Sequence, residues 1–96
     1  MPYHPIIPDI DEELVRAVSM LASDAATIHA LKNDIGVYVG TVETLHLLAA
    51  AVGEKGVGAA GQANFQRRLE IAEQARLRLR MRLTEARLSA DPFPAQ

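Results

Sequence analysis

The chain has 96 residues, of which 49% are hydrophobic, so it is long enough for one small domain and too apolar for a disordered segment. It has no Cys and no Trp, which excludes disulfides and thiolate metal sites and predicts an aliphatic core. Its net charge of −2 is divided: residues 1–61 carry three basic and eight acidic side chains, whereas residues 62–96 carry seven Arg and four acids, so the two halves attract each other.

A Pro-rich extended tail is predicted over residues 1–8. Its prolines recur at every third position, which is the repeat of a polyproline II helix. The tail has neither a basic start nor a long apolar run, so we expect no secretory signal and a cytoplasmic protein. We expect the tail to lie on the helical domain through its three large apolar side chains, Tyr3, Ile6 and Ile7.

The first arm of a single helical domain over residues 9–90 is predicted at residues 9–52. Asp9 or Asp11 provides an N-cap, and acidic residues suit the positive start of a helix. Apolar residues then follow at steps of three and four, which is the period of an amphipathic helix or a coiled coil. The positions are Leu14, Val18, Leu21, Ala25, Ile28, Leu31, Ile35, Tyr38, Val42, Leu45, Ala49 and Val52.

The spacing of this stripe is irregular between Ile28 and Leu31. The residues that follow, 32–36, combine Lys, Asn, Asp and Gly, which are typical of helix ends and starts. The first arm is therefore predicted to be one long helix that kinks at residues 32–36, or two helices that break there. The apolar stretch at residues 35–52 is interpreted as soluble core rather than a membrane span, because Glu43 and His46 lie near its middle.

A loop is predicted at residues 53–61, because four Gly in nine residues disfavour helix. The last arm, residues 62–90, has an apolar stripe, and a Pro-containing tail follows at residues 91–96. Residues 76–83 alternate strictly between Arg and Leu or Met, which resembles a strand. Helix is nevertheless preferred over pairing with residues 37–42, because Arg, Leu and Met favour helix. The stripe consists of Phe65, Leu69, Ala72, Leu79, Leu83 and Ala86.

These elements predict an all-α fold, an antiparallel helical hairpin whose first arm is longer than its second. An arm of about 29 residues reaches only to about residue 24 of its partner, which leaves Leu14, Val18 and Leu21 uncovered. The last arm has a second apolar side, and a helix with two apolar sides has two neighbours. We therefore expect a homodimer that buries at least one of these sets. The alternative is a three-helix bundle that covers its own first helix. The second set is Leu77, Met81 and Leu88.

No residue pattern indicates an enzyme, a metal or a cofactor. Glu43 and His46 have the spacing of ligands in di-iron bundles, but Glu43 lies about 130° around the helix from the apolar stripe, so we expect no metal site. No Ser, His and acid stand at a spacing typical of a catalytic triad. Gly36 and Gly40 have the spacing that permits close helix contact, although a kinked turn is the preferred interpretation.

We expect a non-enzymatic, adaptor or chaperone-like assembly protein that acts through apolar helix faces on itself or on another protein. The alternative is a nucleic-acid-binding protein that uses the Arg-rich last arm. That alternative is less favoured, because the Arg side chains point around most of the helix and no aromatic residues are interleaved for base stacking. Its contact residues would be Arg76, Arg78, Arg80 and Arg82.

Overall fold

The computed structural model describes residues 2–22 and 24–90. This part of the chain forms three helices, α1 (Glu12–Ser19), α2 (Ala25–Val52) and α3 (Ala59–Ala90), with a 3-10 turn at Gly53–Lys55. No strand occurs within it, and its β contact is an isolated bridge. The all-α prediction is confirmed, and residues 76–83 are helical despite their alternating pattern.

The first arm is divided between the end of α1 at Ser19 and the beginning of α2 at Ala25, and not at residues 32–36. Asp24 is the N-cap of α2, and its carboxylate accepts a hydrogen bond of 2.8 Å from the Thr27 backbone N–H. Asp34, which lies in the predicted break at residues 32–36, instead accepts a hydrogen bond of 2.6 Å from Arg82 of α3. Its side chain is therefore engaged across the helix pair, and α2 continues without interruption through residues 32–36.

The connection between α2 and α3 is shorter than the predicted loop, because α3 begins at Ala59. Gly53 and Gly56 have φ angles of 62° and 71°, which side-chain-bearing residues rarely adopt. A Cβ atom at Gly56 would also lie 2.7 Å from the Pro2 Cβ. Glycine therefore permits both the turn at this position and the close approach of the N-terminal segment.

α2 and α3 pack along each other in opposite directions. Asp34, near the beginning of α2, contacts Arg82, near the end of α3, and the short connection at residues 53–58 joins the end of α2 to the beginning of α3. α1 packs against both helices. The core of the described chain is aliphatic apart from two aromatic side chains. Its buried cluster is Leu14, Val18, Tyr38, Val42, Leu45, Phe65, Ala72, Ala75 and Leu79.

The N-terminal segment, residues 2–10, lies on the helices. Tyr3 exchanges two backbone hydrogen bonds of 3.0 and 2.9 Å with Val57 in the connection. At the other end of the segment, the Asp11 backbone N–H donates a bond of 2.8 Å to the Tyr38 hydroxyl oxygen. Tyr3 and Ile7 pack against the core as expected, whereas Ile6 is 89% exposed. The predicted tail at residues 91–96 lies outside the described residues.

Candidate protein-interaction surfaces

The first predicted contact set is covered by the chain's own helices. Leu14 is 5% exposed and Val18 is fully buried, both within the common core, and Leu21 packs partly buried against it. The separation of α1 from α2 explains this result, because it lets α1 pack against both α2 and α3. This set therefore needs no second chain to cover it.

The second predicted contact set is exposed on α3. Leu77, Met81 and Leu88 are 48%, 61% and 73% exposed. Spacings of four and seven residues place them along one side of the helix, away from the buried Leu79. We call these three residues the α3 outer stripe, and it is an apolar surface without a neighbour in the described part of the chain.

Arginine side chains surround the α3 outer stripe. Arg76 donates hydrogen bonds of 3.0 and 3.3 Å to the Glu73 carboxylate, and Arg82 binds Asp34. Arg78 and Arg87 are exposed and form no ion pair within residues 2–22 and 24–90. The unpaired Arg78 and Arg87 therefore add positive charge on the flanks of the stripe, while the exposed Glu85, between Met81 and Leu88, adds one negative charge.

The four Arg of the nucleic-acid alternative do not form one continuous surface. Carboxylates hold Arg76 and Arg82, as described above. Arg78 and Arg80 are exposed, but two positions along a helix correspond to about 200° of rotation, so they point to different sides. A nucleic-acid backbone lying on one face of α3 would therefore meet few free guanidinium groups.

The Arg76–Glu73 pair predicts a pH-dependent contribution to stability. The hydrogen bond from Arg76 lowers the pKa of Glu73. A carboxyl group whose pKa is lowered by folding adds stability above its unfolded pKa, and this stability disappears as the pH falls through the folded pKa. We expect Glu73→Gln to lower the free energy of unfolding at pH 7 by less than about 1 kcal/mol, as for other exposed pairs.

Urea unfolding of wild type and Glu73→Gln at pH 7 and at about pH 3 measures this effect, since a Glu side chain has a reference pKa of about 4.3. The difference between the two proteins should shrink at the lower pH. Glu70→Gln is the control, because Glu70 is exposed on the same helix and forms no ion pair within the described chain. An equal loss at both pH values would contradict the assignment.

α2 presents a further exposed surface that the apolar periodicity did not predict. The helix segment Ala25–Lys55 is long and apolar enough, by length and composition, to cross a membrane. Of its most apolar stretch of 18 residues, only 17% are buried within the chain. Leu47 is 72% exposed and Ile28 is 42% exposed. The core of this chain therefore accounts for only a small part of the apolar character of α2.

Gly36 and Gly40 lie within this exposed surface. Both are exposed, and a Cβ atom built on either would meet nothing within 4 Å, so no neighbouring element of the described chain requires glycine here. Lys32 and Glu43 are exposed on the same helix and form no ion pair within the described residues. The face thus combines apolar side chains, two small residues and two unpaired charges.

The side chains of Glu43 and His46 have separate surroundings. His46 Nε2 lies 3.1 Å from the Pro8 carbonyl oxygen, to which it is placed to donate, and 3.8 Å from the Asp9 carboxylate. Glu43 is exposed and takes no part in this contact. Within the part of the chain that the structure describes, no group of three or more His and acidic side chains is placed to hold a metal ion.

Comparison of the chain with family models, with curated proteins and with solved structures finds no match. The function is therefore inferred from the surfaces described above, of which the α3 outer stripe and the exposed face of α2 are the two that lack a neighbour.

Proposed function

We propose that this chain is a non-enzymatic assembly or adaptor protein that binds an apolar helix of a partner protein along the α3 outer stripe. The observation that supports this proposal is the exposure of Leu77, Met81 and Leu88 on one side of a long helix. Full burial of a large apolar side chain contributes about 1.5–3 kcal/mol. Covering three partly exposed side chains supplies several kcal/mol toward association.

The chemistry of the partner follows from the charges around the stripe. Arg78 and Arg87 carry positive charge that is not paired within the described residues. A partner helix with acidic residues beside its apolar stripe would pair with them, and charge complementarity of this kind contributes mainly to specificity and association rate. An amphipathic helix docked through anchors at heptad spacing is a common mode of recognition.

The α3 outer stripe fits a different protein better than a second copy of this chain. Residues 76–82, which surround Leu77 and Met81, contain four Arg, and the nearest acidic residues, Glu73 and Glu85, lie outside this segment. A symmetric contact centred on Leu77 and Met81 would place these Arg next to the same Arg of the copy, and like charges across an interface are unfavourable. A homodimer, if formed through this stripe, would therefore be weakened by its own rim.

A synthetic helix tests this proposal directly. The probe is a peptide of about 21 residues with Leu at the a and d positions and Glu on both flanks, and the matched control peptide has Lys on the flanks. We expect the Glu-flanked peptide to bind wild-type protein more tightly, as measured by fluorescence anisotropy. Met81→Glu should weaken that binding on the order of tenfold or more, because it places a carboxylate in the apolar contact.

Ala63→Glu is the control variant, because Ala63 is exposed on α3 and lies 18 residues, or about 27 Å, from Met81. It should leave peptide binding unchanged. Equal binding of the two peptides, or an unchanged affinity for Met81→Glu, would contradict the proposal. Duplex DNA at about 50 mM salt is the second ligand to assay, since phosphate contacts are strongest there. DNA binding without peptide binding would favour the nucleic-acid alternative.

A further inference from the structure

The exposed surface of α2 has a nearly palindromic order of side chains. From the start of the helix it runs through an apolar residue, a basic residue, two glycines, an acidic residue and an apolar residue. Successive members are three or four positions apart, so they share one side of the helix. We call this set the α2 outer face, and it consists of Ile28, Lys32, Gly36, Gly40, Glu43 and Leu47.

We infer that the α2 outer face is the contact between two copies of this chain, with the two α2 helices antiparallel. A two-fold axis on the outer side of α2, at the level of Tyr38, brings the charged residues and the glycines of the face opposite those of the copy. Lys32 meets Glu43 of the copy and Gly36 meets its Gly40, while Ile28 lies level with its Leu47. The midpoints of these three pairs in the sequence are 37.5, 37.5 and 38, so a single axis relates all of them.

Charge complementarity selects the antiparallel arrangement over the parallel one. Lys32 and Glu43 lie about 20° apart around the helix, on the same flank of the two glycines. A two-fold axis perpendicular to the helices keeps this flank facing the same flank of the copy, so Lys32 and Glu43 form two ion pairs per dimer. A parallel pair would place Lys32 level with the Lys32 of the copy, and neither charge would be neutralised.

The glycines permit the close approach that such a contact needs. Both are exposed and have open space where a Cβ would be, so nothing in the described chain prevents a second helix from approaching there. Close backbone approach strengthens van der Waals contact between helices that cross at small residues. The distance from Ile28 to Leu47 is about 28 Å of helix, which gives the contact five to six turns.

A second copy also accounts for the charged residues of α2 better than a lipid bilayer does. Glu43 would have to enter the hydrocarbon region if the apolar stretch at residues 35–52 crossed a membrane, and a charge there is costly. In the antiparallel dimer Glu43 and Lys32 of the copy neutralise each other at the edge of the contact. The dimer then covers Ile28 and Leu47, two exposed apolar side chains of α2, without burying an unpaired charge.

Charge reversal tests the inference. Wild-type protein should form dimers, and sedimentation equilibrium over a range of concentrations measures their Kd. Lys32→Glu places a carboxylate opposite Glu43 of the copy, and Glu43→Lys places two amines together, so each single change should raise the dimer Kd on the order of tenfold or more. The double variant Lys32→Glu with Glu43→Lys restores opposite charges and should return the Kd to near the wild-type value.

Glu54→Lys is the matched control, because it makes the same change of net charge at an exposed position of the connection, outside the α2 outer face. It should leave the dimer Kd unchanged. Gly40→Leu gives an independent result with two readouts. It should raise the thermal stability of the monomer measured under dilute conditions, because Leu favours helix more than Gly, and it should weaken the dimer by blocking close approach.

Several results would overturn the inference. The wild-type protein could stay monomeric at every concentration measured, or the double charge reversal could fail to restore the dimer. Dissociation by Met81→Glu together with unaffected charge-reversal variants would place the contact on α3 instead. Binding of monomeric protein to neutral lipid vesicles through the α2 outer face would assign that face to a bilayer. Peptide binding at the α3 outer stripe is measured separately, so either proposal can fail without the other.

Discussion

Replacement of Leu79 with alanine is expected to lower the free energy of unfolding by about 2–5 kcal/mol. The Leu79 side chain is fully buried in the core between the helices. Its truncation removes apolar contacts and leaves a cavity that long helices close only in part, and both effects destabilise the folded state. A small domain has a total stability of about 5–15 kcal/mol, so this loss is a large fraction of the whole.

Leu77→Ala is the matched control for this substitution. It makes the same chemical change two positions earlier in the same helix, where the side chain is 48% exposed. We expect it to cost less than about 1.5 kcal/mol, because about half of the side chain is already in contact with water. Urea unfolding followed by circular dichroism measures both variants. Similar losses for Leu77→Ala and Leu79→Ala would contradict the assignment of the inner and outer sides of α3.

The sequence predicted the helical class and the core side of α3 because both depend on local spacing. Phe65, Ala72 and Leu79 recur at helical intervals, and all three are buried. The position of the helix break was not predicted, because it depends on contacts between distant residues. Asp34 is a residue type that often caps the start of a helix. In the structure its carboxylate instead accepts a hydrogen bond from Arg82, 48 positions away.

The candidate surfaces were predicted only in part for the same physical reason. Helical periodicity shows that a residue is apolar and which side it occupies, but it does not show what covers that side. Val18 and Met81 both belonged to predicted contact sets, yet Val18 is fully buried within the chain and Met81 is 61% exposed. The α2 outer face was missed because its two glycines resembled a turn. Its signal in the sequence was the charge pair at Lys32 and Glu43.

The packing of α1 against its own chain predicts a severe effect of Val18→Asp. Val18 is fully buried within the core cluster. Aspartate there would be an unpaired charge in an apolar contact, and few substitutions cost more. We expect a loss of at least about 3 kcal/mol in the free energy of unfolding. The loss is limited by the free energy of docking α1, because the chain can release this helix and solvate the carboxylate.

Ser19→Asp is the control, because Ser19 is the next residue of the same eight-residue helix and is exposed. It adds the same negative charge near the same helix end, so it experiences the same unfavourable interaction with the helix dipole. Its cost should stay below about 1 kcal/mol. Urea unfolding of the two variants measures the difference.

Hydrogen exchange then shows where the structure opens. If α1 is released in Val18→Asp, its amides should lose their protection while those of α2 and α3 keep most of theirs, because local units open separately. The wild-type protein should protect α1 even when it is diluted to a monomer, since Leu14 and Val18 are covered within one chain. Protection of α1 that appears only at dimer-forming concentrations would contradict this fold. It would mean that a second chain, and not α2 and α3 of the same chain, covers the first helix.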